Sequence, residues 1–478
     1  MLVVRTLFLA IAVIAIAGCA RKPVPVDTTQ EANAASRSRP EPVIVSASPR
    51  VPRATHGAAA ASGAAFGFKA PRQYVQASDD PVGVVIYEVM GSGDFNGDRR
   101  SDLVFLAGQD NSIAMLLQSD DGSFEPLLYP NDTSNYQSLH RLALGDFNED
   151  GITDVVFDTR NEYGSMEGVG LLLSRYGQAP EFHEGYAPWA AMSEDVAADW
   201  AVMDGDRDGH LDLVLLRNSV NLYYDEMGCE PTDASSTALC PHYEILRGDG
   251  HGNFTSAGRV KLGISERIRS ATLEDVNRDG LPDLALLLAA RHPDPTRTVV
   301  FVPGLRAGGF GAPVELFNPV TDDFYVQFGD INGDGLRDAV IGVEIHERNA
   351  DGTFGEALRL ATYMVNPTLP IIADFNGDGL DDLVNHQFID FYTMPFMAVY
   401  MGGGGTLQPP FRAYHPGYNH SFSIPMNRHV YAKGDFNSDG CADLAVAIQY
   451  DGVAIFDGYN CKQRVIRTGG NLPPIRVP

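Results

Sequence analysis

The chain has little basic charge, few cysteines, no helical periodicity after residue 20 and no recognisable catalytic signature. Lys and Arg total 35 against 62 Asp and Glu, a formal charge of −27. That balance excludes the basic face on which nucleic-acid binding depends. The apolar stretch at the start, Leu7 to Ala17, is too short for a comfortable membrane span. No Gly-x-Ser-x-Gly elbow and no His-Glu-x-x-His helix occurs. The twelve histidines are scattered without a metal spacing. Gly248-Asp249-Gly250-His251-Gly252 lacks the Lys-Ser/Thr and the helix of a phosphate loop, so it reads as a strand turn.

What the chain has in abundance is one pattern, Asp-x-(Asn/Asp)-x-Asp-x-x-x-Asp, seven times over. The copies place their oxygens at Asp94, Asn96, Asp98 and Asp102, then at Asp146, Asn148, Asp150 and Asp154. The third has Asp204, Asp206, Asp208 and Asp212, and the fourth Asp275, Asn277, Asp279 and Asp283. Asp330, Asn332, Asp334 and Asp338 make the fifth, and Asp374, Asn376, Asp378 and Asp382 the sixth. Asp435, Asn437, Asp439 and Asp443 complete the set. Side chains that repel one another at this density can converge on one hard cation, and Ca²⁺ takes several oxygen ligands in a flexible shell. Positions 1, 3, 5 and 9 of the motifs hold 22 of the 62 acidic residues, so much of the acidity belongs to them.

The first aspartates are 52, 58, 71, 55, 44 and 61 residues apart. A regular motif at irregular steps is one structural unit with loop insertions of different length. Each motif is followed by a β-prone run such as Leu103-Val104-Phe105 or Ala339-Val340-Ile341, and preceded by one such as Leu142-Ala143-Leu144. This is strand, metal loop, strand. Several repeats add a further strand and a Gly-rich turn before a Phe, as in Arg247–Phe254 and Asp351–Phe354. Four short strands per repeat make the blade of a propeller. An all-β, seven-bladed β-propeller with a Ca-binding loop in each blade is therefore expected over residues 66–478, most of it nearly used up by the ring. The last repeat lacks an outer strand, and Phe66–Tyr74 is expected to supply it.

The motif, its place between two strands and the Gly-x-Phe turns resemble FG-GAP/VCBS repeats, those of the integrin-alpha-type propeller and of many bacterial surface proteins. The resemblance covers residues 66–466 or so. It implies that positions 1, 3, 5 and 9 donate side-chain oxygens and position 7 its carbonyl: Arg100 in the first loop, His210 in the third. Position 6 is Gly151, Gly209, Gly280, Gly335, Gly379 and Gly440 in six copies and Arg99 in the first. A sharp turn there needs φ > 0, which costs a non-glycine residue of order 1 kcal/mol. Site one is thus expected to be the weakest of up to seven Ca²⁺ sites. Through shells made wholly of protein oxygen, the ions would be structural.

Residues 1–18 read as a signal peptide, with Arg5 as its positive end. Ile16-Ala17-Gly18-Cys19 resembles a bacterial lipobox, which implies cleavage before Cys19, lipid on that residue and anchorage in the bacterial cell envelope, at the outer membrane, in the periplasm or on the surface. Residues 19–65, rich in Ala, Pro, Ser, Thr and Arg, bury too little to order themselves and are expected as a disordered tether. Four cysteines remain, and an even number in an exported chain points to disulfides. Of three connectivities, the local one, Cys229–Cys240 and Cys441–Cys461, is expected.

Function then falls to the loops on the ring face opposite the metal turns. The longest insertion, Asn218 to His242, carries Tyr223, Tyr224, Asp225 and Glu226. The segments Asp158–Gly168, His292–Arg297, Asn385–Met394 and Tyr414–Met426 would flank it. Their aromatics (Phe388, Phe391, Tyr392, Tyr414, His415, Tyr418, His420) suit a protein or glycan surface, or the packing of the loops' own bases. The leading expectation is a monomeric, non-enzymatic adhesion or scaffold module for a protein or polysaccharide. A lectin with sugar pockets between blades, or a polysaccharide lyase or hydrolase, are the alternatives. Arg247-Gly248-Asp249 spells an adhesion tripeptide but lies in a standard turn, where its Gly and Asp are expected anyway.

Overall fold

A computed structural model describes residues 43–44, 47–50, 66–69, 72–76, 86–107, 112–129, 138–160, 166–183, 187–188, 195–219, 240–289, 297–319, 325–342, 344–360, 364–365, 370–388, 396–402, 411–414, 431–448 and 452–461. The signal segment, Cys19, Cys229 and most of the insertions expected to carry function lie outside them. All described residues are strand or irregular, with no helix among them. None of them forms a helix long and apolar enough to cross a membrane.

Among the described residues, seven antiparallel sheets of four or five strands follow one another along the chain, and an eighth has only two strands. The first is built from Ile86–Gly93, Asp102–Ala107, Ser112–Gln118 and Phe124–Tyr129, each hydrogen-bonded to the next. The third repeats the plan with Asp195–Met203, Asp212–Ser219, His242–Gly248 and Phe254–Lys261. In the sixth the first strand is in two pieces, Met364–Val365 and Ile371–Ala373, both pairing with Asp382–Phe388. First strands of neighbouring sheets lie side by side: Ile86–Gly93 stands between Tyr431–Gly434 and Ser138–Gly145, and Asp195–Met203 between Ser138–Gly145 and Ile268–Glu274.

The second strands show why the sequence has apolar runs and not a simple alternation. Leu213, Val214, Leu215 and Leu216 are all 1% exposed or less, because each sheet is covered on both faces by its neighbours. The fourth strand of the third blade, Phe254–Lys261, is largely exposed, whereas that of the first, Phe124–Tyr129, is half buried. The core is accordingly divided among the blade interfaces. One cluster joins Val104 and Leu106 of the first blade to Val155 and Phe157 of the second. Others join Val156 to Leu213, Val214 to Leu284, Ala285 to Ala339, and Val340 to Leu383. A last cluster runs through blades six, seven and one, from Val384 through Leu444 to Leu103. Each fully buried aliphatic side chain contributes about 2 kcal/mol, so the interfaces hold the ring together as much as the sheets do.

An N-terminal strand closes the ring as expected, but it begins at Arg72 and not at Phe66. Arg72–Gln76 pairs with Gly452–Phe456, in the register Val453↔Tyr74 and Ile455↔Arg72, and gives the seventh blade its outer strand. Gly67–Phe68 pairs with Gly458–Tyr459. The boundary of the tether needs adjusting. Val43–Ile44 pairs with the outer strand of blade one and Ala47–Arg50 with Arg72–Gln76. Ladder hydrogen bonds to an exposed sheet edge thus order two short pieces of a segment whose composition alone would leave it loose.

Candidate functional site

All seven acidic motifs form the turn between the first and second strands of a blade, and all have the same internal wiring. The first aspartate accepts, on Oδ2, the N–H of position 6: Arg99 at 2.7 Å in loop one, Gly151 at 2.9 Å, Gly209 at 3.1 Å, and so on to Gly440 at 3.0 Å. The fifth accepts the N–H of position 7, for example Ile152 on Asp150 and Leu336 on Asp334. At position 3, Asn96, Asn148, Asn277 and Asn332 donate their amide to the fifth carboxylate, at 3.1–3.2 Å. Position 6 is left-handed throughout, and Arg99 takes φ 67° as the sequence demanded.

The ninth aspartate has a role of its own. In every blade it is 0% exposed: Asp102, Asp154, Asp212, Asp283, Asp338, Asp382 and Asp443. Its Oδ2 accepts the N–H of position 2, as from Phe95 at 2.9 Å and Phe436 at 2.8 Å. Its Oδ1 accepts an N–H at the end of the third strand or just beyond it: Gln118, Ser174, Gly248, Gly304, Arg348, Gly402 or Gly458, at 2.7–2.9 Å. This carboxylate therefore clamps the turn to the third strand. In four blades the clamped residue has to be Gly. A Cβ on Gly248, Gly304, Gly402 or Gly458 would stand 2.2–2.6 Å from the carbonyl oxygen of position 8.

Burial raises the ninth carboxyls despite their two amide donors. Asp212, Asp283 and Asp338 are pushed up to about 6, Asp154 and Asp382 to about 7 and Asp443 to about 8. Asp102 lies well above the usual carboxylate range for the same reason. A cation nearby would offset that cost.

The third loop has the most pronounced donor set. Its position 3 is Asp206, which has no amide to donate. Asp204, Asp206 and Asp208 each bring an oxygen within 4.8 Å of the others'. Asp204 Oδ1 and Asp206 Oδ1 are buried without a hydrogen-bond partner, as is Asn376 Oδ1 in loop six. Clustered carboxylate oxygens in the third loop, two of them without a hydrogen-bond partner, are the kind of donor set a hard cation takes. In loop one the corresponding space is contested. Arg100 Nη1 donates to Asp98 Oδ2 at 2.6 Å, and Arg100 also pairs with Asp120.

Each loop touches the next around the ring. Thr153 N–H donates to Asp94 O, Glu149 pairs with His210, and Arg207 donates to Gly280 O at 2.7 Å. Arg337 pairs with Glu274, and Asp330 N–H donates to Asp381 Oδ2 at 2.9 Å. Lys433 donates to Asp374 O at 2.6 Å, and Asp435 N–H to Ser101 Oγ at 3.1 Å closes the circle. The seven turns thus share one face.

The model of the FG-GAP-like repeat family matches residues 94–157 and 204–286, that is, loops one to four with the strands that follow them. The chain therefore carries FG-GAP-like repeats, and its sheets make a seven-bladed β-propeller. A search of the curated proteins returned no match. Solved structures similar to this chain include two. One is described as the crystal structure of exotype rhamnogalacturonan lyase YesX, with 11% identity, a TM-score of 0.41, and coverage of 78% of this chain and 72% of that one. The other is described as the structure of Dos1 propeller, with 10% identity, a TM-score of 0.42, and coverage of 74% and 75%.

Some of the wiring of this propeller was not anticipated from the sequence. Position 4 is left-handed in all seven loops, including Glu149, Arg207, Arg278 and Ser438 at φ 58–64°. Gly97, Gly333 and Gly377 at that position were the available signal. The Arg247-Gly248-Asp249 tripeptide is consumed by the fold. Arg247 pairs with Asp206 at 3.2 Å, Gly248 binds the ninth aspartate, and both Asp249 oxygens are bonded within their own turn. Cys441, position 7 of loop seven, is disulfide-bonded to Cys461. Cys240 is also disulfide-bonded, and its expected partner Cys229 lies outside the described residues.

Proposed function

We propose that this propeller is a calcium-stabilised, non-enzymatic binding module of the bacterial cell envelope, tethered through lipid on Cys19, that holds a protein or polysaccharide partner. The observation that carries the reading is the use of the acidic groups. On the turn face the motif carboxylates are engaged in holding the turns, clamping the third strands and linking neighbouring loops. In the third loop Asp204, Asp206 and Asp208 bring oxygens within 4.8 Å of one another, a set that suits an ion. Bound Ca²⁺ would neutralise the loops and link ion binding to folding.

Recognition then belongs to the opposite face, from which the connections between second and third strands emerge. Ser219 and His242 bound the longest of these, and Cys240 anchors its returning end through a disulfide. A bridge limits the freedom such a loop would lose on binding. The test is a capture experiment from the native envelope, once in calcium and once in chelator, with a glycan array in parallel. A partner retained only in calcium is the expected result. Turnover of a polysaccharide by the purified chain would overturn the non-enzymatic reading.

A further inference from the structure

We propose that the first loop carries its cation built in, with the Arg100 guanidinium taking the place of the metal ion, so that the chain binds one ion fewer than it has loops. The inference rests on the calcium reading of the other six. Position 7 is Arg in loop one alone; elsewhere it is Ile152, His210, Leu281, Leu336, Leu380 or Cys441. Its backbone N–H bonds Asp98 Oδ1 at 2.9 Å, as position 7 does in every loop. Its side chain then turns back on the same carboxylate. Arg100 Nη1 donates to Asp98 Oδ2 at 2.6 Å, where Asn96 Nδ2 also donates at 3.1 Å. Asp98 Oδ2 therefore accepts from a cationic guanidinium in addition to the amide that Asp150, Asp279 and Asp334 also receive.

The guanidinium is held in that place. It also pairs with Asp120, which sits in the turn fixed by the Ser119 N–H to Ser123 O and Gly122 N–H to Ser119 O bonds. Only 21% of the Arg100 side chain and 26% of the Asp98 side chain is exposed, so the pair is largely withdrawn from water. From the other side the second blade closes the loop. Gly177 N–H donates to Asn96 O at 2.7 Å, and a Cβ on Gly97 would meet Tyr176. Arginine stays protonated at any working pH, so its charge is permanent. A divalent ion entering this loop would meet a positive charge already seated on one of its own ligands. The third loop differs where it counts. Arg247 reaches Asp206 Oδ2 at 3.2 Å, but it is half exposed, and Asp206 Oδ1 remains without a partner.

The test is a metal count. The full chain is stripped with chelator, dialysed to equilibrium against calcium, and its bound ions are counted by elemental analysis. Arg100→Leu is expected to bind one more ion per chain than the wild type. Arg99→Gly relieves the left-handed strain but leaves the guanidinium in place, and is expected to keep the wild-type count. Arg100→Gln, neutral and of similar length, serves should the leucine variant fail to fold, and is expected to gain the same ion. Equal non-zero counts in wild type and both Arg100 variants, or a gain with Arg99→Gly alone, overturn the arginine assignment and leave the calcium reading standing. No bound ion in any chain removes both.

Discussion

Glu274 of the fourth blade and Arg337 of the fifth form an ion pair, with Arg337 Nε 2.6 Å from Glu274 Oε1. The pair occupies a junction that other blades fill differently. The residue just before the first aspartate meets position 8 of the next blade's loop. In most places a glycine makes room: Gly93 for Thr153, Gly145 for Leu211, Gly329 for Asp381 and Gly434 for Ser101. Where Glu274 replaces glycine, a charge meets an opposite charge. Blade order is written into these complementary pairs.

The Glu274 pair is partly exposed, with 22% and 41% of the two side chains accessible, so screening keeps it weak. Glu274→Ala is expected to cost about 1 kcal/mol or less in denaturant unfolding. Gly248→Ala is expected to cost more, about 1–3 kcal/mol, because its Cβ would stand 2.2 Å from the Leu211 carbonyl oxygen. Equal effects of the two would contradict the size rule.

The clamp and the ion-facing oxygens separate by their dependence on metal. Asp443→Ala leaves the Phe436 and Gly458 amides without their acceptor. Two buried donors stranded in this way cost about 2–5 kcal/mol together, so a substantial loss is expected in calcium and in chelator alike. Asp206→Ala removes an oxygen that has no hydrogen-bond partner. Its loss is expected in calcium and largely absent in chelator. Unfolding curves for both variants under both conditions check this, and identical metal dependence would sink the distinction.

Stripped of metal, the chain should lose stability as pH rises. The ninth carboxyls sit above their ordinary value of 3.8, at about 6 for Asp283, about 7 for Asp382 and about 8 for Asp443. An unfolded chain releases these protons near 4 and the folded one only near 6–8, so the stability they give at low pH is lost across that window. The melting temperature in chelator is expected to fall from pH 5 to pH 8, and the fall to shrink in excess calcium. A rise over that window in chelator would contradict the argument.

The closure of the ring gathers at loop seven. Arg72 of the N-terminal strand reaches Asp457 at 2.7 Å, Phe436 O at 3.1 Å and, in blade one, Gly122 O at 3.2 Å. The Cys441–Cys461 bridge ties the last described strand to the same loop, across a sequence separation of 20. A loop of that length is worth about 3 kcal/mol. Cys461→Ser is expected to lower stability by roughly that amount and to speed amide exchange first at Gly452–Phe456. Faster exchange in blade three before blade seven would contradict a latch here.

The seven-fold plan could be read in the sequence because each blade repeats a local signal. Asp, Gly and an apolar run such as Leu213–Leu216 stand at fixed offsets, and the segment Phe66–Tyr74 expected to supply the missing strand overlaps the observed Arg72–Gln76. The remainder depends on tertiary neighbours. No spacing announces that Asp102 reaches Gln118, sixteen residues on, or that Arg100 turns back on Asp98. Position 4 hid its left-handed backbone because Glu149, Arg207 and Arg278 adopt it without glycine. The pairing of Val43–Ile44 and Ala47–Arg50 was equally invisible, since composition describes a segment alone and not the sheet edge it meets.

Calorimetric melting of the full chain, in calcium and in excess chelator at one pH, tests the account most directly. Each ion held at a hundredfold excess over its dissociation constant adds about 2.7 kcal/mol, so several loops together predict a melting temperature markedly lower in chelator. Superimposable curves would show that the acidic turns stand without metal and would contradict the account.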